Sequence, residues 1–215
     1  MGILFSARTD VGRVREGNED NFLVDRKLQL YIVCDGMGGH LGGEVASATA
    51  VNVVRDHLVA QTETLDAYQA NPTPAHEAAV LQVFEHAIQQ ASFRIYQRGV
   101  MNPEQRGMGT TCSGVIILGD RAFIGHVGDS RVYVWRDGTI QQLTEDHSLY
   151  NEMVRSGQLA PEEHLAGRLK NAVTRAVGVY ESVQVDTVAV PLHAGDRLLL
   201  CSDGLCGYAD ASDLE

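Results

Sequence analysis

The chain has 215 residues, 44% of them hydrophobic, and a formal net charge of −11. That length suffices for one β-containing domain with a substantial core. No apolar run nears the eighteen or so residues of a membrane helix, and the acidic balance argues against a nucleic-acid surface, which normally carries a basic stripe. The start, "MGILFS", has no basic segment followed by a sustained apolar core, so it is not a secretory signal. It meets the N-myristoylation pattern only loosely, through Gly2 and Ser6, and reads as the beginning of a first strand. Cys34, Cys112, Cys201 and Cys206 show no CxxC spacing, which predicts reduced, buried thiols in a reducing, cytoplasmic setting and no zinc site.

Alternation and β-branched content predict strands over Ile3–Arg8, Asn21–Asp25 and Gln29–Cys34. Two helices follow. Ala46, Ala50, Val53, Val54 and Leu58 fall at helical spacing, and so do Leu81, Phe84, Ile88, Ala91 and Ile95; both stripes read as core. The polar, proline-punctuated "QTETLDAYQANPTPAHE" between them reads as a connection. From Gly109 the texture is β again, with turns at Gly119-Asp120, Gly128-Asp129 and Asp137-Gly138 that suit an antiparallel meander. A short helix is expected over Leu149–Arg155, then strands over Val183–Val190 and Arg197–Cys201, and "DASDLE" reads as a helix start capped by Asp210 or Ser212. Helices inserted between β meanders predict a layered α+β fold.

The stretch "VCDGMGGHLGG" delivers Asp35 from an apolar strand into a loop with five glycines among the nine residues from Asp35 to Gly43. A nucleotide-binding loop needs GxxxxGK, and no lysine follows. The dinucleotide pattern fails because Leu41 stands at its last glycine position, and Met37 and Gly39 occupy the ligand positions of an EF-hand. Asp203 in "CSDG" leaves a second apolar strand the same way, Asp129 in "VGDS" resembles both, and Glu19 and Asp20 precede a strand. Each Asp-Gly alone is more often a turn than a ligand. Several convergent carboxylates, however, cannot all stay ionised without cations, and an all-oxygen set favours Mg²⁺ or Mn²⁺ over zinc. Two such ions lower the pKa of a shared water and offset charge in a displacement at phosphorus.

"VGRVREGNEDN", "CDGMGGHLGGEVAS", "GMGTTCSGVII", "HVGDSRVYVWRDG", "QLTEDHS", "AVTRAVG" and "CSDGL" resemble, in order, the motifs of the metal-dependent protein phosphatases, the type-2C serine/threonine phosphatases, in their compact bacterial form. The resemblance runs from about residue 6 to the end. It implies a four-layer αββα sandwich: two antiparallel β-sheets flanked by antiparallel helix pairs, with metals at one edge. It implies hydrolysis of phosphoserine and phosphothreonine in proteins, reversing Ser/Thr kinase signalling, with two Mn²⁺ or Mg²⁺ ions and a third, weaker one. Asp35 would bridge the two catalytic metals, helped by the Gly36 carbonyl. Asp203 would hold the second metal and, with Asp129, the third. Glu19 and Asp20 would act through metal-bound water. Arg15 would bind the substrate phosphate, and His40 is the candidate proton donor to the leaving alkoxide. His126 and His147 read as structural and Thr110 and Thr111 as packing. Residues 148–170 align with the family's flap beside the active site.

The family's last aspartate, in a C-terminal "DN" before a β-branched strand, has no counterpart among these residues. The resemblance therefore implies a catalytic domain over 1–215 without its last helix and strands, binding the second metal poorly and turning over slowly. Expected partners are phosphoproteins made by a Ser/Thr kinase, with no nucleic acid and no membrane span, and the expected state is a monomer. A non-catalytic phosphoprotein-binding relative, and a phosphatase dedicated to one bacterial regulator, stay open on the sequence.

Overall fold

The structure, a computed structural model, describes residues 2–38, 42–160, 169, 172–209 and 213–214. In chain order its elements are β1 (Asp20–Asp25), β2 (Leu30–Met37), α1 (Gly42–Ala60), α2 (Thr62–Ala70), α3 (Pro74–Met101), β3 (Gly109–Thr110), β4 (Cys112–Leu118), β5 (Arg121–Val127), β6 (Arg131–Arg136), β7 (Thr139–Gln142), α4 (Leu149–Arg155), β8 (Asp186–Pro191), β9 (Arg197–Cys201) and α5 (Asp203–Cys206). Two antiparallel sheets result. The larger runs β1-β2-β4-β5-β8, with β3 also paired to β2, and the smaller runs β7-β6-β9.

Alternation along β2 sends Leu30, Ile32 and Cys34 toward the helices, where they join Ala46, Ala50, Val54 and Leu58 of α1 and Phe84, Ile88 and Ile95 of α3. The opposite face of the larger sheet meets the smaller one through Val115, Ile117, Ala122, Ile124 and Val132, with Leu198 and Leu200 packed against them. β4 is buried along its whole length because both of its faces are covered, which is why its sequence is apolar or small throughout rather than alternating. Fully burying one of these large side chains contributes about 1.5–3 kcal/mol, so the central strands hold the sandwich and the rim carries the polar residues. This is the expected α+β sandwich. Among the described residues the layers run helix, sheet, sheet, and the outer face of the smaller sheet holds Tyr133 and Cys201 against Cys206 of α5.

Two expectations fail. Ile3–Arg8 forms no strand: Leu4 is 99% exposed, and neither sheet pairs with it. Alternation alone makes no strand where no edge receives it. The connection after α1 is mostly helical. In α2, Leu65 and Tyr68 are buried, and the Tyr68 ring meets Phe123 edge-on at 4.9 Å, anchoring a helix whose other positions are polar. Helix α3 begins where Thr73 caps it, its side chain accepting the His76 N–H at 3.2 Å with Pro74 in the first turn. The Asp137-Gly138 turn has both residues at positive φ, 52° and 81°, matching the twist of the β6–β7 hairpin. Positions 210–212, with their expected helix start, lie outside the described residues.

Candidate metal centre

Strands β1 and β2 place two carboxylates directly opposite each other, since Asp20 and Asp35 are cross-strand partners. Like charges so placed repel. The Asp20 Oδ2 accepts the Ser202 hydroxyl at 2.8 Å, which ties the first strand to the turn after β9. The neighbouring Glu19 is held by its backbone: its carbonyl accepts the Gly36 N–H at 3.1 Å and the Ser47 hydroxyl at 2.6 Å. The first turn of α1 closes on this corner so tightly that only glycine fits. A Cβ on Gly36 would strike the Gly43 carbonyl, and one on Gly43 would strike Glu19 Oε1. The glycines beside Asp35 therefore serve close packing of helix against strand end.

The smaller sheet brings the other carboxylates to the same edge. Arg131 pairs with Cys201, so the start of β6 lies beside the end of β9 and the turns carrying Asp129 and Asp203 emerge together. Asp203 opens α5, and its carboxyl stands within hydrogen-bonding reach of Asp35. Asp35 is consequently pushed up to about 8, first by burial and then by Asp20, Asp203 and Asp129. Burial, then Asp203 and Asp146, push Asp129 up to about 6. Asp20 is raised as well, chiefly by burial and against the hydrogen bond from Ser202.

These residues fit hard divalent cations on three counts. The ligand atoms are all oxygen, and no described histidine or thiol joins them. The buried Glu19 Oε1 has no hydrogen-bond partner, a costly state for a carboxylate oxygen unless a cation or its water meets it. Burial and mutual repulsion raise the affinity of Asp20, Asp35 and Asp129 for protons, so a bound cation would be favoured there. Among the described residues no three His, Cys, Asp or Glu side chains close on a single point.

The structure thus gathers Glu19, Asp20, Asp35, Gly36, Asp129 and Asp203 at one edge. Arg15 sits at its rim, 76% exposed, with a guanidinium nitrogen 3.8 Å from Glu19 Oε2. His40 lies outside the described residues. Arg131, closer to Asp129 in sequence than Arg15 is, acts as a strut. Its fork grips both Asp146 oxygens at 2.7–3.1 Å while another nitrogen reaches Tyr133 and the Cys206 carbonyl. His126 and His147 are structural, as expected. His126 bonds Ser113 and the Glu145 carbonyl, and His147 bonds the Gly128 N–H and Asp186. Thr110 and Thr111, expected only to pack, instead bond the backbone of Asp35. The sequence reading also passed over Ser130 and Ser202, whose one available signal is a hydroxyl residue next to a marked carboxylate, and Ser47, which gives no such signal. All four cysteines are free and buried.

The sequence pattern of the family Protein phosphatase 2C matches residues 13–214. The chain is 38% identical over 211 residues to the Serine/threonine phosphatase stp of Listeria welshimeri, covering 97% of this chain and 80% of that one. It is also 38% identical over 213 residues to Protein phosphatase PhpP of Streptococcus pneumoniae, covering 97% and 81%. Among solved structures, the Mycobacterium tuberculosis serine/threonine phosphatase PstP/Ppp superposes with a TM-score of 0.81 at 32% identity over 97% of this chain and 82% of that one. The catalytic domain of PstP, solved in complex with two manganese ions, gives 0.74 at 32% identity over 96% and 80%. The chain belongs to the protein phosphatase 2C family.

Proposed function

We propose that the edge formed by Glu19, Asp20, Asp35, Asp129 and Asp203 is the metal centre at which this chain, a metal-dependent serine/threonine protein phosphatase, hydrolyses phosphoserine and phosphothreonine in proteins. The observation that carries the assignment is the convergence at one edge of Asp35, its cross-strand partner Asp20, and the turns bearing Asp129 and Asp203. Two Mn²⁺ or Mg²⁺ ions would supply a water of lowered pKa and offset the charge that develops at phosphorus. Asp35, with the Gly36 carbonyl beside it, would help to hold both ions. Asp203 would hold the second ion and, with Asp129, a third. Glu19 and Asp20 would face the hydration shell, as the unpartnered Glu19 Oε1 suggests. Arg15, exposed at the rim, offers its planar fork to two phosphate oxygens. His40 is assigned the proton that the departing serine or threonine alkoxide needs.

In the same reading the substrates are proteins phosphorylated by Ser/Thr kinases, and residues 148–170 form a flap that governs access. Its root is fixed by Ser148, which pairs with Val173 and caps α4 by accepting the Asn151 N–H. The catalytic unit is one chain, since every carboxylate of the centre comes from it. The setting is a reducing, cytoplasmic one, supported by the four unpaired buried thiols. The test is a Mn²⁺-dependence assay on a phosphothreonine peptide with the wild-type chain and Asp35→Asn. The expected result is turnover that requires Mn²⁺ and is lost in the variant. Metal-independent hydrolysis, or full activity in Asp35→Asn, overturns the assignment.

A further inference from the structure

The ladder that delivers Asp35 is interrupted over two pairs, and at the second of them a side chain takes over a backbone bond. β2 pairs with β4 from Leu30↔Ile116 to Val33↔Ser113 and with β3 at Gly36↔Thr110, in a single continuous register. Between the two lie Cys34 opposite Cys112 and Asp35 opposite Thr111. At the second of these the Thr111 N–H donates to the Asp35 carbonyl at 2.9 Å, as an antiparallel pair requires. The return bond does not form in the usual way. The Asp35 N–H donates to Thr111 Oγ1 at 2.8 Å instead of to the Thr111 carbonyl, and that carbonyl accepts the Thr110 hydroxyl at 3.0 Å. A threonine hydroxyl has taken the place of a peptide oxygen opposite the most strongly perturbed carboxylate of the site.

The same hydroxyl reaches the second carboxylate-bearing turn. Thr111 Oγ1 lies 2.7 Å from Ser130 Oγ, the residue after Asp129, and both side chains are buried. The Thr111 methyl packs on Gly128, which stands at φ +110° and where a Cβ would come within 2.6 Å of it. Ser130 is fixed in turn, its carbonyl accepting the Ser113 hydroxyl at 2.9 Å. One side chain therefore touches the backbone of Asp35 and both neighbours of Asp129.

We infer that Thr111 is a positioning residue of the metal centre, setting the spacing between Asp35 and the Asp129 turn through its hydrogen bonds to the Asp35 N–H and to Ser130. The inference rests on the reading of this edge as a metal centre. Valine has the shape of threonine but leaves the Asp35 N–H and the Ser130 hydroxyl buried without their partner. Serine keeps the hydroxyl and gives up only the methyl. Groups that orient ligands in this way typically change metal affinity by about 10–100-fold when removed.

The test uses the whole chain in four variants: Thr111→Val, Thr111→Ser, Ser130→Ala and Asp35→Asn. Mn²⁺ affinity is measured by calorimetry without substrate, the thermal midpoint is measured in chelator, and kcat and KM are measured on a phosphothreonine peptide. Thr111→Val is expected to weaken Mn²⁺ binding by about tenfold or more and to lower kcat with little change in KM, while Thr111→Ser stays near wild type. Ser130→Ala is expected to weaken Mn²⁺ binding by a few-fold, and it decides the matter should Thr111→Val not fold. A Thr111→Val protein with a lowered midpoint but wild-type Mn²⁺ affinity, or a Thr111→Ser protein as weak as the valine variant, overturns the inference. So does wild-type affinity in Ser130→Ala. Wild-type Mn²⁺ binding by Asp35→Asn would instead overturn the metal-centre reading itself.

Discussion

Replacing Asp35 by asparagine should make the metal-free protein more stable at pH 8, although it removes the proposed central ligand. In the folded chain burial and the neighbouring aspartates push the Asp35 carboxyl up to about 8, against 3.8 for an ordinary aspartate. Between these limits the folded state holds a proton that the unfolded chain has released, so stability falls as pH rises through that window. At about 1.4 kcal/mol per pKa unit, ionising Asp35 at pH 8 costs at most about 5 kcal/mol. Asp35 is only partly buried, and water and side-chain motion relax part of that cost, leaving a gain of about 2 kcal/mol for a neutral asparagine of the same shape. For a domain of this size that is a rise of about 4–8 °C in the thermal midpoint. The assay is thermal unfolding of both proteins in chelator at pH 4 and pH 8. The difference should be large at pH 8 and nearly vanish at pH 4, where Asp35 is protonated in the fold. Saturating Mn²⁺ should reverse the order, because it binds the folded wild type alone. An Asp35→Asn protein less stable than wild type in chelator at pH 8 would refute the claim that these carboxylates are gathered against their own repulsion.

Other parts of the fold give separate tests. His126, buried and held at about 4 by burial and by His147, must stay neutral in the fold, so stability is lost as pH falls from about 6.5 toward 4, by up to about 3 kcal/mol. His126→Gln should flatten that acid limb in urea titrations, and an equally steep limb would contradict the assignment. Gly36→Ala forces a Cβ against the Gly43 and Glu19 carbonyls; it should cost about 1–3 kcal/mol and weaken Mn²⁺ binding together, whereas a neutral result would deny the tight corner. Tyr68→Ala empties the space beside Phe123 and should cost about 3 kcal/mol in urea titration while leaving Mn²⁺ affinity unchanged.

The readable part of this protein was where local pattern and site coincide. "YIVCDG" and "RLLLCSDG" each show apolar residues ending on an aspartate and a glycine, and β2, β9 and their two carboxylates lie where that pattern puts them. Helix α2 was hidden because two inward residues, Leu65 and Tyr68, make too short a stripe among Thr, Glu, Asp and Gln. Ile3–Arg8 shows the converse: its alternation is clear, but a strand also needs an edge to join. The cross-strand meeting of Asp20 with Asp35 depends on register, which no local window contains. Thr111 illustrates the limit most sharply. Its role comes from a bond to a residue 76 positions away, at a ladder break that alternation presents as ordinary packing.

The proposed function requires Asp35 and Asp203, 168 positions apart along the chain (203 minus 35), to close on shared hard cations. Anomalous diffraction from crystals of the protein grown with Mn²⁺ tests it most directly. Manganese peaks are expected at the carboxylate edge, with Asp35 bound to two ions and Asp203 to one of them. Manganese bound elsewhere, or at that edge with Asp35 uninvolved, would contradict it.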